Sequence, residues 1–259
     1  MIVLFFGDVV GKPGRQALAK RLPDLRKRYA ADAVVANGEN AASQGVGISP
    51  DIANALLAAG VDVITTGNHV YRRREIYSYL DGQPRIVRPY NYPPSNPGRG
   101  VTVVDTPAGR LGVVNLSGEL FMSPGRSPFE AADEALEQLQ GVRNVLVDLH
   151  AEATSEKVAM GHYLDGRVSA VLGTHTHVRT GDARVLPGGT AYISDVGMCA
   201  VRDSVIGVKK EQVLERFLTR MPARFDVAEG DVWLEGVLLH FGENGMADAI
   251  EPFEEAVPR

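Results

Sequence analysis

The chain has 259 residues, 44% hydrophobic and 23% charged, with a net charge of −5 and a pI near 5.7. That is the balance of an ordinary soluble globular domain, long enough to bury a large core, and it carries no overall electrostatic footprint for duplex nucleic acid. A single cysteine, Cys199, excludes an internal disulfide framework and is expected to be a small buried apolar residue. No charged leader or cleavage site precedes the first apolar run, and no stretch approaches the roughly 20 apolar residues of a membrane span. The expectation is a cytoplasmic protein without a membrane segment, forming one domain over residues 1–259.

The first run, Ile2–Phe6, reads as a strand and is followed by Gly7-Asp8. Residues 14–29 carry Ala17, Leu18, Leu22 and Leu25 at helical spacing. A second strand-like run, 33–36, leads into Gly38-Glu39-Asn40. Ser49 then reads as an N-cap with Pro50 in the first turn, and Gly60 stops that helix. Strand 61–64 leads to Gly67-Asn68-His69. This β-α-β-α-β order predicts a parallel sheet with right-handed crossovers.

Later elements differ in kind. Runs 101–105 and 111–116 flank Pro107-Ala108-Gly109, runs 183–186 and 190–193 flank Pro187-Gly188-Gly189, and Val232–Phe241 and 246–251 flank Gly242–Gly245. Each reads as a hairpin. Strand 145–149 ends in Asp148-Leu149-His150, and strand 168–172 ends in Gly173-Thr174-His175-Thr176-His177. Helices are expected at 128–139 and 209–219, and residues 90–100 form a loop. Most of these strands are continuous apolar runs, as expected when both faces are covered. Three hairpins on a β-α-β core fit either one mixed sheet or two sheets packed face to face.

Polar side chains able to bind metal therefore stand at the ends of five strands: Asp8, Glu39 with Asn40, Asn68, His150, and His175 with His177. In α/β sheets those ends converge on one edge, where such folds place their chemistry. Carboxylate, carboxamide and imidazole together suit Zn, Mn, Fe or Ni better than Mg or Ca. So many ligands exceed the needs of one tetrahedral ion and fit two ions about 3.5–4 Å apart, the arrangement that activates water and clamps a phosphate. By contrast, Gly7–Gly14 only echoes a P-loop: the spacing is one residue short, and Pro13 stands where Ser or Thr is required. Arg72-Arg73-Arg74 reads as solvated surface or as a steering patch for phosphate. His162 and His240 read as structural.

The series Asp8, Gly38-Glu39-Asn40, Gly67-Asn68-His69, His150 and His175-x-His177 resembles the calcineurin-like metallophosphoesterases. In detail it resembles their YmdB-type bacterial branch, through Phe6-Gly7-Asp8-Val9-Val10-Gly11, Asn37-Gly38-Glu39-Asn40-Ala41-Ala42 and Asp148-Leu149-His150-Ala151-Glu152-Ala153-Thr154-Ser155-Glu156-Lys157. The resemblance implies an α/β fold of two mixed sheets in a sandwich flanked by helices. It also implies two divalent or mixed-valence transition-metal ions, the first held by Asp8, Glu39, Asn40 and His177 and the second by Glu39, Asn68, His150 and His175. His69 would be the general acid for attack by a bridging hydroxide. Two departures from the wider family stand out: the usual Asp-x-His is Asp8-Val9-Val10, and Glu39 replaces the bridging Asp. An oxygen from Asn40 in place of a lost imidazole favours Fe or Mn over Zn.

The implied substrate is a small phosphodiester, a cyclic nucleotide foremost; RNA is admitted by the resemblance but not supported by net charge. The residues alone leave a phosphomonoesterase, or a non-catalytic metal-dependent nucleotide-binding regulator, open as alternatives. An amidohydrolase is disfavoured, because its His pair would follow the first strand. Homo-oligomerisation is common among soluble proteins, but no interface is legible here.

Overall fold

The computed structural model describes residues 1–259. Its first half is the predicted alternation: β1 (Ile2–Phe6), a two-residue β2 (Asp8–Val9), α1 (Gly11–Arg28), β3 (Ala33–Asn37), α2 (Pro50–Ala58) and β4 (Val63–Thr65). Strands β1, β3 and β4 pair in parallel. The Ser49 side chain caps α2, accepting from the Ile52 N–H at 3.4 Å, with Pro50 in the first turn. A short α3 (Tyr77–Gly82) then leads to a second run of elements. These are β5 (Val101–Thr106), β6 (Gly109–Ser117), α4 (Pro128–Gln138), β7 (Asn144–His150), α5 (Thr154–Tyr163), β8 (Ala170–Thr174), β9 (Arg184–Val185) and β10 (Ala191–Ile193). The chain closes with β11 (Met198–Val201), α6 (Lys210–Thr219), β12 (Val232–Phe241) and β13 (Ala247–Val257).

Two mixed sheets result. In the first, β13 runs along one edge of β12, so β1 and β11 share the other edge end to end; β3 and β4 continue beyond β1, and β2 pairs with β11. The second has the order β5-β6-β7-β8-β10-β9, parallel from β6 to β10 with an antiparallel strand at each edge. Side chains alternate across each strand. Val3, Phe5 and Val35 face Val113, Leu146 and Leu172 of the other sheet, while Leu4, Phe6 and Val34 face Leu18, Leu22 and Leu56 of α1 and α2. On the far side, Val114, Val147 and Leu149 pack on Ala132, Ala135 and Met160 of α4 and α5. The four layers are helix, sheet, sheet, helix. Each fully buried large side chain contributes about 1.5–3 kcal/mol, which makes the sandwich a stiff frame.

All three hairpins form as paired strands, but with altered extents. β9 shrinks to two exposed residues, and β13 continues past 251 to Val257 with one face open. Cys199 is fully buried in β11, and burial pushes its thiol pKa up. No helix is long and apolar enough to cross a membrane.

The turn after β1 is packed backbone against backbone. A Cβ on Gly7 would lie 2.0 Å from the Gly197 carbonyl oxygen, whereas one on Gly82 would meet nothing within 4 Å. Gly7→Ala is expected to lower stability by at least about 1–3 kcal/mol, since neither backbone can yield. Gly82→Ala should stay within about 0.5 kcal/mol of wild type. Urea unfolding midpoints of both variants check the pair.

Candidate metal centre

The parallel strands of both sheets deliver their C-terminal ends to one edge of the sandwich. Asp8 follows β1, Glu39 and Asn40 follow β3, Asn68 and His69 follow β4, His150 ends β7, and His175 and His177 follow β8. All eight side chains named from the sequence are brought together. Asp8, Glu39 and His150 are completely buried, and Asn40 and His177 nearly so.

They gather as two overlapping groups. In one, His150 Nε2 lies 3.0 Å from Glu39 Oε1, 3.1 Å from Asn68 Oδ1 and 3.1 Å from His175 Nδ1. In the other, Asp8 Oδ1 and His177 Nε2 are 3.5 Å apart, and Asn40 Nδ2 lies 3.2 Å from His177 Nε2 and 3.1 Å from Glu39 Oε1. Glu39 Oε1 thus belongs to both. A Cβ on Gly67 would fall 2.3 Å from His150 Nε2 and 2.4 Å from Glu39 Oε2, so glycine alone lets the loop after β4 close over this cluster.

Each imidazole is held from outside. Thr174 Oγ1 donates to Asp148 Oδ1 at 2.7 Å and lies 2.9 Å from His150 Nδ1, so it accepts the Nδ1–H. The Ile206 carbonyl takes His177 Nδ1–H at 3.1 Å, and Glu152 Oε2 sits 3.2 Å from His175 Nε2. With its outer nitrogen protonated and tied, each ring turns a lone pair to the interior, as imidazoles set for a metal do.

The interior is therefore crowded with lone pairs. His150 Nε2 faces three acceptor atoms, and at most one of them can share a proton with it. Asp8 Oδ1 is buried with no hydrogen-bond partner; its other oxygen takes the His175 N–H at 3.0 Å. A cation between these atoms resolves both problems, and the mixed N/O donor set suits a transition metal. The electrostatics agree. Burial works against ionised Glu39, yet His150 and His69 hold it well below the usual carboxylate range; for Asp8, His177 likewise outweighs burial. Burial opposes charge on His150, but Glu39 and Asp8 raise it to about 9, while burial and His150 together hold His175 at about 4. The two buried carboxylates thus draw positive charge into the cluster.

His69 stands at the rim with its side chain 35% exposed, its N–H donating to Glu39 Oε2 at 3.1 Å and its Nδ1 3.0 Å from Asn40 Oδ1. The partner that orients this ring, which the sequence did not reveal, is Asn40. Tyr71 and Tyr92 pack together beside the site, with Tyr71 Oη donating to the Pro97 carbonyl at 2.7 Å. Burial and the nearby Glu39 charge push the Tyr92 phenol to about 12.

Sequence reasoning passed over Asp195. It follows β10 at the same kind of strand end, and Ile193-Ser194-Asp195 carried that signal. Asp195 Oδ2 accepts from Lys157 Nζ at 2.8 Å, Thr176 N at 3.1 Å and Thr176 Oγ1 at 2.7 Å, with both charged residues buried. It clamps the residue between His175 (φ 99°) and His177 (φ 63°), both in left-handed backbone that non-glycine residues avoid. The Ile206 carbonyl left no side-chain signal to read.

The family model of YmdB-like proteins matches residues 4–253. A 2′,3′-cyclic-nucleotide 2′-phosphodiesterase of Bacillus subtilis (strain 168) is 47% identical over 240 residues, which is 92% of this chain and 90% of that protein. A Thermus thermophilus protein of known crystal structure superposes with a TM-score of 0.93 at 47% identity, over 100% of both chains. A Mycoplasma pneumoniae protein, described with its crystal structure as a novel phosphatase, superposes with a TM-score of 0.92 at 34% identity, over 100% of this chain and 94% of that one. With a match running almost end to end, the chain belongs to the YmdB-like family of calcineurin-like metallophosphoesterases.

Proposed function

We propose that the protein is a two-metal phosphodiesterase acting on cyclic nucleotides, opening a 2′,3′-cyclic phosphate at the 2′ oxygen. The observation that carries this is the convergence of His150 Nε2, His175 Nδ1, Asn68 Oδ1 and Glu39 Oε1 beside a second group, Asp8, Asn40 and His177, that shares Glu39. The relative from Bacillus subtilis supports the choice of substrate class. In this reading Asp8, Glu39, Asn40 and His177 would hold the first ion, and Glu39, Asn68, His150 and His175 the second. The oxygen-rich first set, with Asn40 in place of an imidazole, favours Fe or Mn over Zn. The bound ions would supply Lewis-acid activation of water and neutralisation of the phosphoryl charge.

The chain's own residues then manage one proton. Asn40 can face either way, because a half-turn of its carboxamide exchanges oxygen and nitrogen. With Oδ1 turned inward, where it would help hold the first ion, Nδ2–H would donate to His69 Nδ1. Neutral His69 then carries its proton on Nε2, the ring nitrogen that has no protein partner. As the P–O2′ bond breaks, that proton passes to O2′, and the attacking water oxygen becomes the fourth oxygen of the monoester. Asn40 thus sets the tautomer that presents the Nε2–H of His69 to the leaving oxygen, and the proton lost by the attacking water restores the ring.

A leaving-group comparison tests this assignment. His69→Ala should lose on the order of 10²–10⁴ in kcat with a 2′,3′-cyclic nucleotide, whose alkoxide leaving group needs a proton. It should lose far less with bis-p-nitrophenyl phosphate, whose phenolate does not, while metal content per chain stays at the wild-type value. Equal losses on both substrates would remove His69 from the acid role. Turnover of neither substrate by the wild type, reconstituted with Mn or Fe, would remove the activity itself.

The Asp195 clamp carries a separate expectation. Asp195→Asn keeps the shape but leaves Lys157 buried without its charge partner, at a cost of about 3–5 kcal/mol. It should also release the loop carrying His175 and His177. Metal analysis after dialysis should show fewer ions per chain than wild type under conditions where circular dichroism shows the variant folded. Full metal retention would limit the clamp to stability.

A further inference from the structure

A cationic cleft of about 710 Å³ lies beside the metal centre and plays no part in the mechanism above. Three of its walls grow directly from residues of the centre. Gln44 follows Asn40 by four positions, Arg72 and Arg73 follow His69 by three and four, and Lys209 follows Ile206, whose carbonyl holds His177, by three. At about 3.3–3.6 Å per residue, each tether holds the Cα of its cleft residue within roughly 14 Å of the Cα from which it starts. The loops also brace one another: the Arg72 N–H donates to the His69 carbonyl at 2.9 Å, and Arg73 Nη2 donates to Gln44 Oε1.

Its charge runs against that of the whole chain. Arg72, Arg73, Lys209 and Arg224 face only two carboxylates, Asp226 and Glu229, in a protein of net charge −5. Arg72 and Lys209 form no ion pair, Arg73 reaches Glu75 only at 3.9 Å, and Arg224 lies 3.6 Å from Asp226. Arg73 Nε is buried without any hydrogen-bond partner. Phe225, 39% exposed, gives the same cleft an aromatic surface. Guanidinium and ammonium groups tracking a groove with an exposed aromatic ring form the combination that binds single-stranded nucleic acid.

We propose that this cleft binds the phosphodiester chain of a single-stranded oligonucleotide whose cyclic-phosphate end enters the metal centre. The inference rests on the phosphodiesterase reading above and extends it: the substrate is a strand end, with the penultimate phosphates held by Arg72, Arg73 and Lys209. A free cyclic mononucleotide would reach the same centre without those contacts.

The test uses the metal-loaded full chain and two substrates, a 2′,3′-cyclic mononucleotide and a pentaribonucleotide ending in a 2′,3′-cyclic phosphate. Wild type is expected to favour the pentamer in kcat/KM. The double variant Arg72→Ala/Lys209→Ala should lower the pentamer-to-mononucleotide ratio at least about tenfold, the loss of roughly one charge-assisted hydrogen bond. Arg167→Ala, in the turn after α5 and paired with Asp133 of α4, should leave the ratio unchanged. Binding of a fluorescent pentamer ending in 3′-phosphate gives a readout independent of turnover. The slope of log affinity against log salt should become shallower by about 0.7 for each phosphate contact removed.

A ratio near one that the double variant does not move would overturn the cleft while leaving the phosphodiesterase intact. If neither substrate turns over, the activity reading fails, and the cleft is judged by the binding slope alone. A polyglutamate peptide of equal charge binding as tightly as the pentamer would overturn the commitment to a nucleotide chain.

Discussion

The arrangement depends on one constraint: two carboxylates, Asp8 and Glu39, are fully buried at the edge of the sandwich. Taken alone, each would protonate or unfold its surroundings, because burial of an unpaired charge costs several kcal/mol. The fold meets that cost by aiming three imidazoles at them and tying each ring from behind. The outer partners come from different elements: Thr174 from the end of β8, Ile206 from the loop before α6, and Glu152 from the loop before α5. The centre is therefore a property of the whole sandwich edge. A change in any one of these loops alters which nitrogen faces inward and, with it, what the carboxylates can bind.

That edge was largely legible in the sequence. Fully covered parallel strands must be continuously apolar, so the first polar residue after such a run marks a strand end. β1, β3, β4, β7 and β8 all announced themselves in this way. What stayed hidden obeys the same logic in reverse. β2 is two residues long, and β11 is four residues placed after Gly197, too short for either to show a period. β13 reads as ending at residue 251 because charged side chains occupy its outward positions from there to Val257. The β9 run reads longer than it is because Val185 and Leu186 look like a strand even though Val185 is exposed.

At the site, residue types were readable where the chemistry lies in side chains that stand out against an apolar run. Partners were not. Asn40 could be named as an oxygen donor from its place beside Glu39, but its contact with His69 Nδ1 needs the turn after β3 folded against the turn after β4. Asp195 looked like one more polar residue after one more strand, because its partners Lys157 and Thr176 lie 38 and 19 positions away. A carbonyl such as that of Ile206 has no sequence signature at all. Hydrogen-bond partners distant in sequence are a product of topology, which no local run of residues spells out.

The backbone at His175 and His177 shows why Asp195 matters beyond stability. Both residues sit at positive φ, a conformation costing on the order of 1–3 kcal/mol each for a side chain with a Cβ. Relaxing either would swing its ring away from the centre, since Nδ1 of His175 and Nε2 of His177 are aimed inward only in this conformation. Asp195 opposes that relaxation by accepting from both the backbone N–H and the hydroxyl of Thr176, while the buried Lys157 ammonium fixes the carboxylate in place. An ion pair buried this deeply adds little net stability relative to apolar packing. Its worth here is geometric: it keeps two ring nitrogens within reach of two buried carboxylates, and the strain it restrains is the form in which that geometry is stored.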